Sequence, residues 1–149
     1  MSVESDQPLT RKSLQALAPV TMTKKTTLKE KSLTLKYFTL DEFNCKETGE
    51  NKMSNNFLIM LDRLREECGF PFVITSGFRS PQHSSERSKP NGGGTHTKGI
   101  AADIAVSTAS QRYTIVEKAI ELGFKGIGVA KGFVHVDLRN TDEPVMWTY

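Results

Sequence analysis

Apolar positions in this 149-residue chain fall into two helical stripes and several short alternating runs, and their order predicts a mixed architecture. In SNNFLIMLDRLREECG, Ser54 can cap a helix on which Phe57, Leu61, Leu64 and Cys68 share one stripe, with Gly69 as the stop. STASQRYTIVEKAIELG repeats the design. Thr108 and Gln111 have capping-box spacing, Ala109, Tyr113, Val116 and Ile120 form a stripe, and Gly123 lies past the end. Ahead of both, YFTLDEF sets Thr39 and Glu42 at the same spacing, which predicts a short helix turning Leu40 and Phe43 inward.

The remaining apolar runs read as strands. In FPFVITSGFRS, Phe72, Val73, Ile74 and Thr75 make a β-rich run that ends at Ser76-Gly77 and delivers Arg79 to the strand end. GIAADIAV alternates, and GIGVA and FVHVDL predict a hairpin turning near Lys131-Gly132. Between the first two strands, positions 81–94 are polar or Gly, with a Pro at 90 and three glycines at 92–94, so they form a loop. Loops of that length in compact domains are commonly functional or disordered, and this one, with His83, Glu86 and Arg87, is either a substrate-contacting flap or disordered. Trp147 and Tyr149 are expected to close the core.

Two of the alternating runs carry ionisable groups. Alternation puts Ala101, Asp103 and Ala105 on one face of their strand, opposite Ile100, Ala102, Ile104 and Val106. It likewise puts Phe133, His135 and Asp137 opposite Val134, Val136 and Leu138. If these strands are neighbours, His96, Asp103, His135 and Asp137 can converge on one polar face, where Ala101 and Ala105 leave room above the sheet. Two histidines and a carboxylate form a three-ligand set for a catalytic zinc, with a fourth position left for water. The alternative is the wet face of an antiparallel sheet, with Asp103 a surface carboxylate and the histidines merely hydrogen-bonded. Arg79 could equally be a solvated charge. Spacing alone leaves both readings open.

Composition separates a leader from this pattern. Positions 1–35 contain no Phe, Trp or Tyr, are rich in Ser, Thr and Lys, and hold six basic against three acidic residues, so they carry the whole net charge of +3. Such a segment has little apolar surface to offset ordering entropy and is expected to be a mobile basic tail on a single 36–149 domain. So modest a charge fits weak attraction to anionic envelope polymers or a solubility role, and gives no reason to expect a nucleic-acid partner. An apolar h-region and an 18-residue apolar stretch are both lacking, which predicts neither a secretory signal nor a membrane span. Cys45 and Cys68, without CxxC spacing, are expected to be reduced and not to bind metal, Cys68 as a small buried hydrophobe.

The strings ITSGFRSPQH, GGTHTKGIAADI and GFVHVDLR, with the aromatic ending MWTY, occur in an order that resembles the M15 family of zinc peptidases, in the branch of D-alanyl-D-alanine carboxypeptidases and phage peptidoglycan hydrolases. The likeness runs from about Tyr37 to Tyr149. It implies an α+β fold, a small antiparallel sheet with helices packed on one side and the zinc site on the open face. It also implies one zinc ion held by His96, Asp103 and His135, with Arg79 contacting substrate and the developing oxyanion. Replacing Arg79 by Ala should then cost about 10²-fold or more in rate. Many members carry a general base three residues before the last histidine, where this chain has Gly132. The nearest carboxylate is Asp137, as in the branch whose motif reads His-x-Asp, and it is either the base, the preferred role, or a group that orients an imidazole.

The leading expectation is a monomeric zinc peptidase acting on the stem peptides or crosslinks of bacterial peptidoglycan. It would be a phage or prophage endolysin, made in the host cytoplasm and reaching the wall by phage-mediated release or virion delivery. The alternatives are a non-catalytic zinc-containing wall-binding or tail module and a metal-free structural domain.

Overall fold

The computed structural model describes residues 33–149, so the expectation of a mobile basic tail lies almost wholly outside the described residues. From Leu35 onward, a 3₁₀ turn at Leu40–Phe43 leads into α1 (Asn55–Cys68), β1 (Ile74–Ser76), the loop, β2 (Ala101–Ala105), α2 (Ala109–Leu122), β3 (Gly126–Val129), β4 (Phe133–Asp137) and β5 (Val145–Thr148). The strands form one open sheet in the order β1-β2-β4-β3-β5. All pairs are antiparallel except β3 with β5, which makes the fold α+β, as the family resemblance implies.

The caps form as their residue types require. Ser54 Oγ accepts from the Phe57 amide at 3.3 Å, and Gly69 ends α1 in the left-handed region. Thr108 Oγ1 accepts from the Gln111 amide at 3.0 Å, while the Gln111 carboxamide reaches back to the Ser107 amide at 2.9 Å. At the 3₁₀ turn, the Thr39 amide donates to Glu42 Oε2 at 2.7 Å.

α2 packs on β3 and β4, and α1 packs on α2. Between them lies the core, with Phe57, Leu58, Leu61, Leu64, Ile104, Ile115, Val134 and Val136 all buried. On α2 the expected stripe is displaced: Tyr113 and Ile120 are 70% and 57% exposed, and Ile115 and Ala119 face inward. Apolar side chains cover about half of the circumference of α2, wide enough for its periodicity to permit two stripes. The small Ala119 side chain is the one that allows close approach to a sheet.

Three further expectations shift. Leu40 is 47% exposed, since a 3₁₀ turn of four residues can bury only one side, and it buries Phe43. Cys68 is only half-buried, although burial still pushes its thiol up to about 11. Cys45 is the fully buried thiol, and its sulfur accepts from the Ser80 amide at 3.4 Å. The aromatic end does not close the core: it forms β5, with Trp147 half-buried and Tyr149 68% exposed on the opposite side of the sheet from α2.

Candidate metal centre

Register brings the ionisable residues of the two strands together. In the β2–β4 pair Asp103 lies opposite His135, Ala101 opposite Asp137 and Ala105 opposite Phe133. Cross-strand partners share a face, so the polar sides of the two alternations coincide. His96 joins them from the turn that closes the loop, held there by the Arg79 amide donating to its carbonyl at 3.2 Å. His96 Nε2 lies 3.3 Å and His135 Nδ1 3.0 Å from Asp103 Oδ1. All three side chains are buried, and their ligand atoms lie within 4.8 Å of one another.

Counting protons shows what this cluster needs. His96 Nδ1 is 2.8 Å from the Gly77 carbonyl oxygen, which only accepts, so that nitrogen carries a hydrogen. His135 lies between two carboxylates, Nε2 2.7 Å from Asp137 Oδ2 and Nδ1 3.0 Å from Asp103 Oδ1, and a neutral ring can donate to only one of them; the shorter contact assigns the hydrogen to Nε2. With neutral rings, these tautomers aim two nitrogen lone pairs at a carboxylate oxygen that has none to give. Three acceptors then meet without a proton between them, which a cation resolves. Two imidazoles and one carboxylate suit zinc. Without a metal, a further proton is needed between these acceptors. Burial opposes the charge on His135, yet its hydrogen bonds to Asp103 and Asp137 outweigh that and raise its pKa. Burial also pushes Asp103 up, but bonds from both rings hold it far below the ordinary carboxylate range.

Asp137 stands behind His135, on the Nε2 side of the ring, and is fully buried. Its Oδ1 accepts from the Arg139 amide and Nε, both at 3.0 Å, and its Oδ2 accepts from Arg139 Nη2 and His135 Nε2, both at 2.7 Å. These bonds overcome burial and keep the acid well below its usual range. Space for the pair comes from β3. Gly126 and Gly128 lie opposite Asp137 and His135. A Cβ on Gly126 would overlap the Asp137 carboxylate, and one on Gly128 would sit 2.7 Å from the Trp147 indole. Trp147 therefore lies against the site, its ring centroid 5.2 Å from that of His135 and 4.8 Å from Arg139 Cζ.

Arg79 lies on the other flank. Its Nε donates to Ser76 Oγ at 3.0 Å, Nη1 to Glu86 Oε2 at 2.9 Å, and Nη2 reaches Asp103 Oδ2 at 3.5 Å. Together with the triad, Arg79, Glu86, Arg139 and Trp147 line an open cavity of about 400 Å³. The loop around Glu86 is folded into turns, and Glu47 anchors it, accepting from the Ser84 amide at 3.0 Å and lying 3.3 Å from His83 Nε2. Arg87 is exposed.

Every residue singled out as a site candidate from the sequence thus sits at or directly behind this cavity. Glu86 went unassigned, and Arg139 and the placement of Trp147 were missed. One signal was present in the sequence, a Gly-x-Gly in a strand beside a polar alternation, which marks room left for a neighbouring group. A family model described as Peptidase M15 matches residues 36–137, a span that includes Arg79, His96, Asp103, His135 and Asp137. No curated protein matches the chain.

Proposed function

The chain belongs to the peptidase M15 family, and from that premise we propose that it is a zinc metallopeptidase hydrolysing peptide bonds in the stem peptides or crosslinks of bacterial peptidoglycan. The observation that carries this reading is the convergence of His96 Nε2, Asp103 Oδ1 and His135 Nδ1, three acceptor atoms, in an open cavity beside a fixed arginine. Zinc held by those atoms supplies a Lewis acid for the scissile carbonyl and lowers the pKa of water.

The chain's own groups would do the rest. Arg79 presents a guanidinium edge beside Asp103, where it can take the developing oxyanion or a substrate carboxylate. His96 is held by the Gly77 carbonyl and His135 by Asp137, which fixes each ring's tautomer and direction. For Asp137 we favour this orienting role over that of general base, because both oxygens are committed and the group lies on the nitrogen of His135 that faces away from Asp103. Trp147 would form a wall for the bound peptide.

One observation favours a second reading, a zinc-stabilised wall-binding module without hydrolysis. Position 132 is an exposed glycine, and the carboxylates at the cavity among the described residues, Asp103 and Glu86, are as fully engaged as Asp137 behind it. Within the peptidase reading, the enzyme is a monomeric phage or prophage endolysin that meets the wall after phage-mediated release or virion delivery. D-alanyl carboxypeptidase and endopeptidase chemistry are both compatible with the open cavity.

The test is release of new amines and peptides from purified Gram-negative peptidoglycan by the protein as isolated, after chelation and after zinc is restored. Activity that vanishes and returns with zinc establishes the peptidase, and the fragments name the bond. Stoichiometric zinc with no fragment from any wall preparation establishes the binding module instead.

A further inference from the structure

Glu86 is a carboxylate in the middle of a polar surface loop, yet it is 1% exposed. A buried carboxylate is costly unless its oxygens are met by donors, and here both are. Oε1 accepts from the Gly94 amide at 2.8 Å, while Oε2 accepts from Arg79 Nη1 at 2.9 Å and from Lys89 Nζ at 3.1 Å. The side chain thereby ties together three pieces of backbone: the strand end that carries Arg79, the middle of the loop, and the turn that carries His96 two residues after Gly94.

Proton transfer is a poor use for such a group. Burial pushes its pKa up, but the Gly94, Arg79 and Lys89 bonds hold it down at about 2, so it stays an anion whose two oxygens both accept from protein donors. Its geometry suits another task. Arg79 follows a strand of only three residues and carries a long side chain with many rotamers to lose. Ser76 fixes its Nε and Glu86 its Nη1, which leaves Nη2 directed at Asp103. Donors already aimed at the place where charge develops need no reorganisation during the reaction.

We propose that Glu86 is a positioning residue, a buried clamp that holds the Arg79 guanidinium in its working orientation and couples the loop to the metal centre. This deepens the proposed peptidase function and rests on it for the kinetic consequence, although the clamp itself is a property of the fold. Glu86→Gln keeps nearly the same volume but has no charge and a single acceptor oxygen, which can serve the Gly94 amide or the Arg79 and Lys89 pair and not both, so the clamp is weakened in either flip.

The first readout is the ¹⁵N-detected Nη1–Hη resonance of Arg79, the guanidinium group that Glu86 bonds, in the zinc-loaded protein, assigned by its loss in Arg79→Lys. Its solvent exchange is expected to speed up about tenfold or more in Glu86→Gln, with zinc stoichiometry unchanged. Glu86→Asp keeps the charge but shortens the reach, and should lie between the two. If Glu86→Gln does not fold, this second variant carries the test. The second readout is turnover of peptidoglycan. Glu86→Gln should lose about 10- to 100-fold in kcat, and Arg79→Ala/Glu86→Gln should lose no more than Arg79→Ala alone, because residues acting as a unit are not additive. Unchanged Arg79 exchange in the Glu86 variants, or losses that multiply in the double variant, overturn the clamp. A wild type that cleaves nothing overturns the peptidase reading, while the exchange measurement still decides the clamp.

Discussion

The two faces of β2 and β4 are almost equally dry and are kept so by opposite means. On one face Ile104, Val134 and Val136 are completely covered by the helical layer, and their burial is favourable in itself at about 25 cal/mol per Å². On the other, Asp103, His135 and Asp137 are nearly as inaccessible, and each ion removed from water costs several kcal/mol until partners offset it. The partners run in a chain from the Gly77 carbonyl through His96, Asp103, His135 and Asp137 to Arg139. The apolar face is complete as folded. The polar face is complete only with extra protons or a cation at its centre, so one face should be indifferent to metal and the other should depend on it.

The largest effect should come from breaking that asymmetry directly. Asp103→Ala removes the one atom both rings address. It is expected to abolish zinc binding and reduce peptide release to background, with no zinc-induced rise in Tm. Ile104→Ala, the next residue on the opposite face, should destabilise the fold by about 2–5 kcal/mol while keeping one zinc per chain. Calorimetry with and without zinc separates the two variants. Zinc stabilisation that survives in Asp103→Ala would remove the triad as the metal centre.

Protons probe the same contrast, since only the polar face titrates. Asp103, Asp137 and Glu86 are all depressed in the folded chain. Their contribution is present above the ordinary carboxylate values and is lost as pH falls below about 4, through about 2 for Glu86. His135 is raised, so its contribution is present below the ordinary histidine value of 6.5 and is lost as pH rises through the higher folded value. Chelated protein should therefore be most stable between about pH 4.5 and 6.5, with shoulders falling away on both sides. Saturating zinc should remove the alkaline shoulder, because metal takes the rings as neutral ligands. Denaturant midpoints across pH measure this, and an alkaline shoulder unchanged by zinc would contradict the proton count at the triad.

A smaller change sharpens the role of the group behind the site. Asp137→Asn keeps the shape but weakens the bond that fixes His135, and should cost about 10- to 100-fold in zinc affinity. Were Asp137 the base, affinity would survive and kcat at saturating zinc would fall. Competition with a chelator of known affinity, alongside turnover at saturating zinc, separates the two roles.

The readability of the sequence follows the same division. Alternation is a strict two-residue period, so the polar and apolar sets of β2 and β4 could be read from GIAADIAV and FVHVDL alone, whereas the α+β class came from the family resemblance, with which the predicted helices and strands agreed. What could not be read depends on contacts between distant segments. Nothing local in EPVMWTY says that it will run parallel to β3, because that pairing depends on Gly128, a distant residue whose missing side chain leaves room for Trp147. Glu86 looked like any loop acid, since its value lies in Arg79 and Gly94, seven residues before it and eight after. Asp137 was legible as a site residue but not by role, for alternation gives the face of a strand and not which nitrogen of a neighbouring ring a carboxylate meets.

The helix α2 is where periodicity misled, and it supplies the smallest of the expected effects. Its apolar residues are spread widely enough that Ala109, Tyr113, Val116 and Ile120 satisfy a helical stripe as well as the line that is buried. Tyr113 is 70% exposed, so Tyr113→Ala removes a side chain largely in water and should change stability by no more than about 0.5 kcal/mol. Ile115, two residues on, is completely buried, and truncating it should cost about 2–5 kcal/mol. A pair so close in sequence shares helix propensity, cap and distance from the metal centre, so the difference between the two losses reports only which side of α2 meets the sheet. Equal losses in urea unfolding would mean that the helix is rotated toward the alternative stripe. That rotation would also withdraw Ala119 from the sheet and loosen the apolar face on whose other side the triad is built.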